Sequence, residues 1–470
     1  MIPVLTPAEM AAVDAAAPVS VEMLIERAGA AVASAALELL GGAYGRRVVV
    51  VAGKGHNGAD GRSAAVRLRR RGVRVLVLDA AHAPARLPEA DLVVDAAYGT
   101  GFRGEYSAPE VGDTPVLAVD IPSGVDGVTG EERGRALPAR RTVTFASLKP
   151  GLLFEPGRRL AGEVVVADIG LHASADVGVV EADDVARWLP DRAPDSHKWK
   201  AAVLVVAGSA RMTGAAHLAV AAAQRAGAGM VRVGSPGLVD DPMRPVEAVG
   251  LDLPATGWAN AALAGLDRFH ALVIGPGLGT QPTTRDAIRE VVAAAEVPIV
   301  VDSDALTALD TGAAAILGPR TAGAVLTPHD GEYQRLTGGP PGADRIAAAR
   351  NLASATGAVV LLKGAVTIVA DPTGTVRVVT SGDARLATAG TGDVLSGIVG
   401  ALLAGGLSPF DAAAAGAWLH GSAATLGQPD GFVASDLLAL LPTAWANLSN
   451  RRVKRAASAA LHPPVGDGRG

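Results

Sequence analysis

Apolar runs too short for helices recur down the chain, and many close on a glycine or an aspartate. "RVVVVAG" (47–53), "VRVLVLD" (73–79), "DLVVDA" (91–96), "PVLAVD" (115–120), "TVTFA" (142–146) and "EVVVAD" (163–168) form a first series. Alanine-rich stretches near 20–40 and 60–71 read as helices. The runs show little apolar–polar alternation, so both faces of each strand need covering. That points to a parallel sheet with helices packed on it. A second series comprises "AVLVVAGS" (202–209), "GMVRVGS" (229–235), "ALVIGPG" (271–277), "VPIVVDSD" (297–304), "AVLTPHDGE" (324–332), "AVVLLKG" (358–364) and "VTIVAD" (366–371), with long helices from 393 to 425. The proline-bearing, mixed-charge stretch "ARWLPDRAPDSHKWK" (186–200) separates the series. The sequence therefore predicts two α/β domains, 1–175 and 176–455, and a flexible tail over 456–470.

Bulk composition narrows the function. At 470 residues the chain exceeds one ordinary core, and 49% hydrophobic against 19% charged residues excludes a disordered chain. A net charge of -5 leaves no basic excess for nucleic acid. The absence of cysteine rules out disulfides, thiolate metal sites and a cysteine nucleophile, and fits a reducing, cytoplasmic setting. The first residues lack a basic start and an apolar block, so no signal peptide is expected. "VLSGIVGALLAGGLSPF" (394–410) is short and broken by glycine, and reads as a buried helix, so no membrane partner is expected. Only six of the 42 basic residues are lysine. Lys54, Lys149, Lys198 and Lys363 all lie in or beside motifs.

"GKGHNGADG" (53–61) follows a strand and opens a helix. Gly53, Gly55 and Gly58 fit G-x-G-x-x-G, and Asp79 ends the next strand, the context of a dinucleotide-binding turn. Asp95, Asp120 and Lys149 follow later strands, so one rim of a parallel sheet would gather Asn57, Asp60, Asp95, Asp120, Ser123 and Lys149. Taken singly, each acid reads equally well as a helix cap or turn residue. Together with "LTPAEMAAVDAAA", "LIERAGAAVA", "DAAYGTGFRG", "VDIPSGVDGVTG" and "FASLKPG", this half resembles the NAD(P)H-hydrate epimerase family, the YjeF N-terminal domain. The resemblance implies a Rossmann-like three-layer domain that interconverts the R and S forms of hydrated NADH and NADPH. It implies a potassium ion on Asn57, Asp95 and Ser123. It also implies a substrate along His56, Asn57, Gly58, Ala59 and Asp60 and along Gly99, Thr100, Gly101, Phe102, Arg103, Gly104 and Glu105. Asp120 would be the acid/base, with Lys149 as its partner. The family commonly has asparagine-asparagine-glycine-glycine-aspartate where this chain reads "HNGAD", so His56 and Ala59 depart from it.

In "TAGTGDVLSG" (388–397) glycines precede an aspartate at a helix start. Such a loop can turn its amides toward a phosphoryl group, and Asp393 could pass a proton to or from a substrate oxygen; a plain helix cap is the bland alternative. No Walker A lysine motif is present. "HK" (197–198), "GSARMTGAA", "AGAGMV", "IGPGLG", "VVDSDAL", "LTPHDGE", "LLKGAVT" and "GTGDVLSG" follow in order. In that order they resemble the ribokinase-like ADP/ATP-dependent NAD(P)H-hydrate dehydratase family, the YjeF C-terminal domain. The resemblance implies a three-layer α/β fold and an ADP/AMP site at Lys363, Gly364, Ala365, Val366, Thr367 and Gly392. It implies a substrate site at Ala215, Gly277, His329 and Asp393, with Asp393 as base. Magnesium would accompany ADP. Here Trp199 and Ala202 stand where glycines are usual, and Ser303 where alanine is common. The expected partners are the hydrated cofactors and ADP, with assembly as a homo-oligomer. A vitamin-alcohol kinase with a non-catalytic nucleotide-binding N-terminal module is the rival reading.

Overall fold

The computed structural model describes residues 1–190 and 194–461. The chain divides into one unit spanning Ile2–Gly178 and another spanning Val179–Gly470 with Met1. Among the described residues, no helix is long and apolar enough to cross a membrane.

The N-terminal unit is built on six parallel strands. They are β1 (Arg47–Ala52), β2 (Arg74–Asp79), β3 (Leu92–Ala96), β4 (Val116–Val119), β5 (Arg141–Phe145) and β6 (Glu163–Ala167), in the order β2-β1-β3-β4-β5-β6. Successive side chains leave a strand on opposite faces. Val48 and Val50 accordingly join a core with helices α1 (Val21–Leu40) and α2 (His56–Arg70). Val49 and Val51 join a second core with Leu87, Tyr106, Ala108 and Leu137. That second face is covered by chain between the strands rather than by a long helix. Helix α1 starts on a Ser20 cap, whose hydroxyl accepts from Met23 N, and stops at Gly41 in the left-handed conformation.

The C-terminal unit has strands β7 (Ala202–Val206), β8 (Met230–Gly234), β9 (Val249–Leu251), β10 (Ala271–Ile274), β11 (Ile299–Val301), β12 (Ala324–Leu326), β13 (Val359–Leu362), β14 (Thr367–Ala370) and β15 (Val376–Val379). They run in the order β15-β14-β13-β12-β11-β10-β7-β8-β9. From β9 to β13 all neighbours are parallel. The β13–β14 and β14–β15 pairs are antiparallel. The reason is local: only Lys363–Val366 joins β13 to β14, too few residues for the crossover a parallel partner needs. Helices α3 (Thr213–Arg225), α4 (Thr391–Ala404) and α5 (Pro409–Thr425) pack on one face, against Val203, Val205, Val273 and Val300. The alanine and glycine content of these helices allows close approach: a Cβ on Gly397 would stand 2.1 Å from Ala219 O on α3. Of the expected tail, residues to Leu461 lie on the helix Ala434–Leu461, and 462–470 lie outside the described residues.

Candidate active sites

In each sheet one strand has neighbours on both sides that come later in the chain. For β1 these are β2 and β3; for β7 they are β8 and β10. The loops leaving such a strand and its neighbour part in opposite directions and open a crevice at the strand ends.

At the first crevice the glycines are fixed by contact. A Cβ on Gly53 would lie 1.9 Å from Ala97 O, and one on Gly58 would lie 1.9 Å from Gly53 O. Gly61 has Ala96 Cβ at 2.5 Å from the same imagined position. The turns after β1 and β3 and the start of α2 therefore touch through bare backbone. Gly58→Ala is expected to destabilise this unit by roughly 1–3 kcal/mol or more, because the obstacle is backbone and cannot rotate away. An unchanged melting midpoint would contradict this. Gly55 caps α2 without a side-chain acceptor, so the first-turn amides stay open toward the crevice.

The crevice is a cavity of about 750 Å3. His56, Asn57, Asp60, Gly99, Thr100, Gly101, Phe102, Arg103, Asp120 and Lys149 line it. Gly58, Ala59, Gly104 and Glu105 do not, so the Ala59 methyl takes no cavity space. Asp120 directly follows β4 in the left-handed region, with φ 65°, an uncommon and strained conformation for a non-glycine residue. This aims its carboxylate at Lys149, whose Nζ is 2.8 Å from Asp120 Oδ1. Lys149 is only 2% exposed and also donates to Thr144 Oγ1 (2.9 Å) and to the carbonyls of Phe145 (3.0 Å) and Ser147 (3.3 Å). Thr144 Oγ1 donates to the same Asp120 oxygen at 3.1 Å. Asp60 is pushed up to about 8 by burial, and further by the charges of Asp120 and Asp14. It is therefore mostly protonated at neutral pH and can donate. Asp14 comes from the helix Pro7–Ala15 and also lines the cavity; sequence reasoning missed it because it lies outside every glycine motif.

Asp95 and Ser123 sit behind this wall. Ser123 N and Oγ donate to Asp95 at 2.9 and 2.6 Å, and Tyr98 N donates to Ser123 Oγ at 2.9 Å. Burial pushes the Asp95 carboxyl up, and the Ser123 bonds oppose that only in part. The next residue, Gly99, lies against the Asn57 side chain, its imagined Cβ 3.3 Å from Asn57 Cγ. Both polar atoms of the Asn57 amide are buried without a partner.

At the second crevice a Cβ on Gly277 would stand 2.9 Å from both Ala215 Cβ and Met212 O, so the expected pair Ala215 and Gly277 are neighbours. Asp302 follows β11 and is fully buried. It accepts from Thr327 Oγ1 (2.6 Å), Ser396 Oγ (2.8 Å) and Lys363 Nζ (3.0 Å). Glu332 Oε2 approaches Lys363 Nζ at 3.5 Å. Burial works to raise the Asp302 carboxyl, but Lys363, Thr327 and Ser396 outweigh it and hold it low. Burial likewise lowers Lys363, and Asp302 and Glu332 outweigh it and hold the ammonium high. Asp302 and Lys363 thus form a charged pair at neutral pH. Asp302 and Glu332 belong to no expected set, although both follow strands in quoted motifs; only their contact with Lys363 marks them.

Gly392 is set at this lysine: a Cβ there would be 3.6 Å from Lys363 Nζ and 3.9 Å from Asp302 Oδ2. The next residue, Asp393, is pushed up to about 7 by burial and by Asp302, with Lys363 opposing. Helix α4 is preceded at its N-cap by Gly390, which has φ 91° and offers no side-chain cap. His329 caps the helix Asp330–Thr337: Nδ1 accepts from Gly331 N (3.0 Å) and Glu332 N (3.3 Å), while Nε2 lies 3.6 Å from Glu332 Oε1. Gly364, Ala365 and Thr367 line a small pocket of about 60 Å3 with His420, while Val366 turns into the core. Trp199 lies in the turn before β7 and Ala202 is the first residue of that strand, so both sit at the end of the sheet opposite these strand-end loops.

Two α/β units, each with glycine turns at a topological switch point and a perturbed carboxylate beside them, define a two-domain nucleotide-handling enzyme. Residues 203–442 match the family model described as NAD(P)H-hydrate dehydratase, and residues 21–86 and 79–151 match that of the YjeF-related protein N-terminus. The chain belongs to the family of bifunctional NAD(P)H-hydrate repair enzymes, which join an epimerase to a dehydratase. It is 42% identical over 402 residues to the bifunctional NAD(P)H-hydrate repair enzyme Nnr of Mycobacterium tuberculosis, covering 80% of this chain and 82% of that one. The Escherichia coli Nnr is 35% identical, covering 85% and 84%. The ADP/ATP-dependent NAD(P)H-hydrate dehydratase of Bacillus subtilis, co-crystallised with ATP and Mg2+, is similar at a TM-score of 0.52 and 32% identity, covering 58% of this chain and all of that one.

Proposed function

We propose that the C-terminal unit removes water from the S form of hydrated NADH or NADPH by phosphorylating it with ADP. The N-terminal unit supplies that S form from the R form. The observation that carries this reading is the Asp393–Gly392–Lys363 arrangement beside open helix amides. Asp393 takes the proton of the ring hydroxyl as that oxygen attacks the terminal phosphorus of ADP. The bond to the bridging oxygen breaks and AMP leaves. Phosphate then departs from the ring carbon with its bonding electrons, a neighbouring ring proton is lost, and NADH or NADPH results. Amides at the start of α4 stabilise the charge of the phosphoryl group in transit. Lys363 to Thr367 and Gly392 hold the nucleotide; Ala215, Gly277, His329 and Asp393 hold the hydrate.

In the N-terminal unit the substrate lies along the cavity, with Asp120 as acid/base and Lys149 holding it. Asn57, Asp95 and Ser123 fit a hard monovalent cation. Asp95 is a buried acid bonded to serine and backbone but to no cationic side chain, and the neighbouring Asn57 amide oxygen lacks a partner. Potassium there would supply positive charge behind the substrate turn. The dehydratase half offers no comparable set for magnesium. Asp302 and Glu332 both engage Lys363, and no group of three or more His, Cys, Asp or Glu among the described residues is placed to hold a metal. Magnesium carried by the nucleotide's own phosphates needs no such set.

A mixture of R and S hydrate with excess ADP tests both halves together. The absorbance of reduced nicotinamide near ~340 nm is expected to recover completely. Recovery stopping at the S fraction would remove the epimerase assignment. Phosphorylation of another alcohol with no recovery would favour a small-molecule kinase.

A further inference from the structure

The order of strands in the N-terminal sheet also fixes the order of pieces along a bound dinucleotide. The cavity runs from the end of β2, across the glycine turn after β1, to the ends of β4 and β5. The β1 turn, with its bare backbone and open α2 amides, suits the pyrophosphate. Asp120 and Lys149 lie on the β4 and β5 side, so the reacting ring belongs there. The adenosine must then lie on the remaining side, over β2. Asp79 is the last residue of β2, pairs in register with Ala52 at the end of β1, and lines the cavity with Ala80 and Ala81. An acid at this place in a doubly wound sheet accepts from the ribose 2′-hydroxyl.

We propose that Asp79 is a specificity-determining residue that makes the epimerase site favour hydrated NADH over hydrated NADPH. The inference rests on the epimerase reading of this cavity. A 2′-phosphate would be set against the Asp79 carboxylate. The basic side chains lining the cavity are Lys54, His56, Arg103 and Lys149, and none of them follows β2. Lys149 is committed to Asp120. Lys54 and His56 belong to the pyrophosphate turn, and Arg103 follows β3, on the far side of β1. His82 approaches Asp79 at 3.7 Å but is 82% exposed and outside the cavity lining. Asp79 Oδ1 also accepts from Ala81 N at 2.8 Å, which holds the turn and fixes the carboxylate.

The test uses the full chain without ADP, so that dehydration is silent. Conversion of the pure R hydrates of NADH and NADPH is followed separately by chromatography at pH 8. The wild type is expected to show kcat/KM at least ~10-fold higher for the NADH form, since setting like charges against each other in a binding site costs several kcal/mol. Asp79→Asn keeps an oxygen for Ala81 N and removes the charge. It should raise kcat/KM for the NADPH form, mainly through KM, and narrow the ratio. Equal use of both hydrates by the wild type, or an unchanged ratio in the variant, overturns the proposal alone. Failure to convert either hydrate overturns the epimerase reading and this inference with it.

Discussion

Asp393→Asn is expected to slow ADP-dependent recovery of NADH from the S hydrate by roughly 10²- to 10⁴-fold, the range a positioned general base contributes. Asparagine has nearly the same shape and can still stand at the start of α4, so the fold should persist. The role also sets a pH profile. A base works in its ionised form, and Asp393 is pushed up to about 7, first by burial and then by Asp302. The rate should therefore rise as pH increases through about 7 and level off above it. The residual activity of the variant should lack that rise. Single-turnover rates with pure S hydrate between pH 5.5 and 9 decide it. Wild-type speed in the variant, or a wild-type rate that falls through the same region, contradicts the base role.

The raised Asp393 carboxyl and the lowered Asp302 carboxyl illustrate a division of labour. Asp302 bonds Lys363 directly and accepts from the hydroxyls of Thr327, Ser396 and Ser303, whereas Asp393 has no such bond to the lysine. Asp302 remains ionised and holds Lys363 in place. Asp393 is left near neutrality, where it can exchange protons.

Much of this was legible before any coordinates. The apolar runs marked the strands, and the motifs that follow them fall at strand ends because a parallel sheet puts those ends on one rim. Expected spans overshot where a motif ran past the strand: "VPIVVDSD" contains only Ile299–Val301 as strand, since Asp302 and Ser303 turn away into the site. The antiparallel β13–β14–β15 ribbon was not legible as such, and β9 and β15 were missed because β9 has a glycine at its centre and β15 is interrupted by Arg377, so neither reads as a continuous apolar run. What sequence could not convey was side-chain convergence over long separations. Asp302 with Ser396, and Asp14 with Lys149, come together only through the fold. Positive φ at Asp120 and Ser303 was equally hidden, since neither residue is glycine.

Asp120→Asn separates the two halves of the molecule most cleanly. Epimerisation should fall by roughly 10²-fold or more, because the carboxylate is the proton carrier in the proposed site. Dehydration of pure S hydrate should continue at the wild-type rate, since Asp393 and its neighbours belong to another sheet. An equal mixture of the two epimers with ADP would then recover to about half and stop on the assay timescale. The variant retains an amide oxygen for Thr144 and Lys149, so the left-handed turn is kept. Its cost is a buried ammonium without a full counter-charge, and stability should drop by roughly 1–3 kcal/mol. That cost supplies the control. Lys149→Met in the same chain removes the stranded charge and should return part of the lost stability without restoring epimerisation. If the single variant still converts R hydrate normally, Asp120 is a turn residue and the proton is carried elsewhere in the cavity. If the double variant regains conversion, the loss came from the stranded lysine and not from the missing acid.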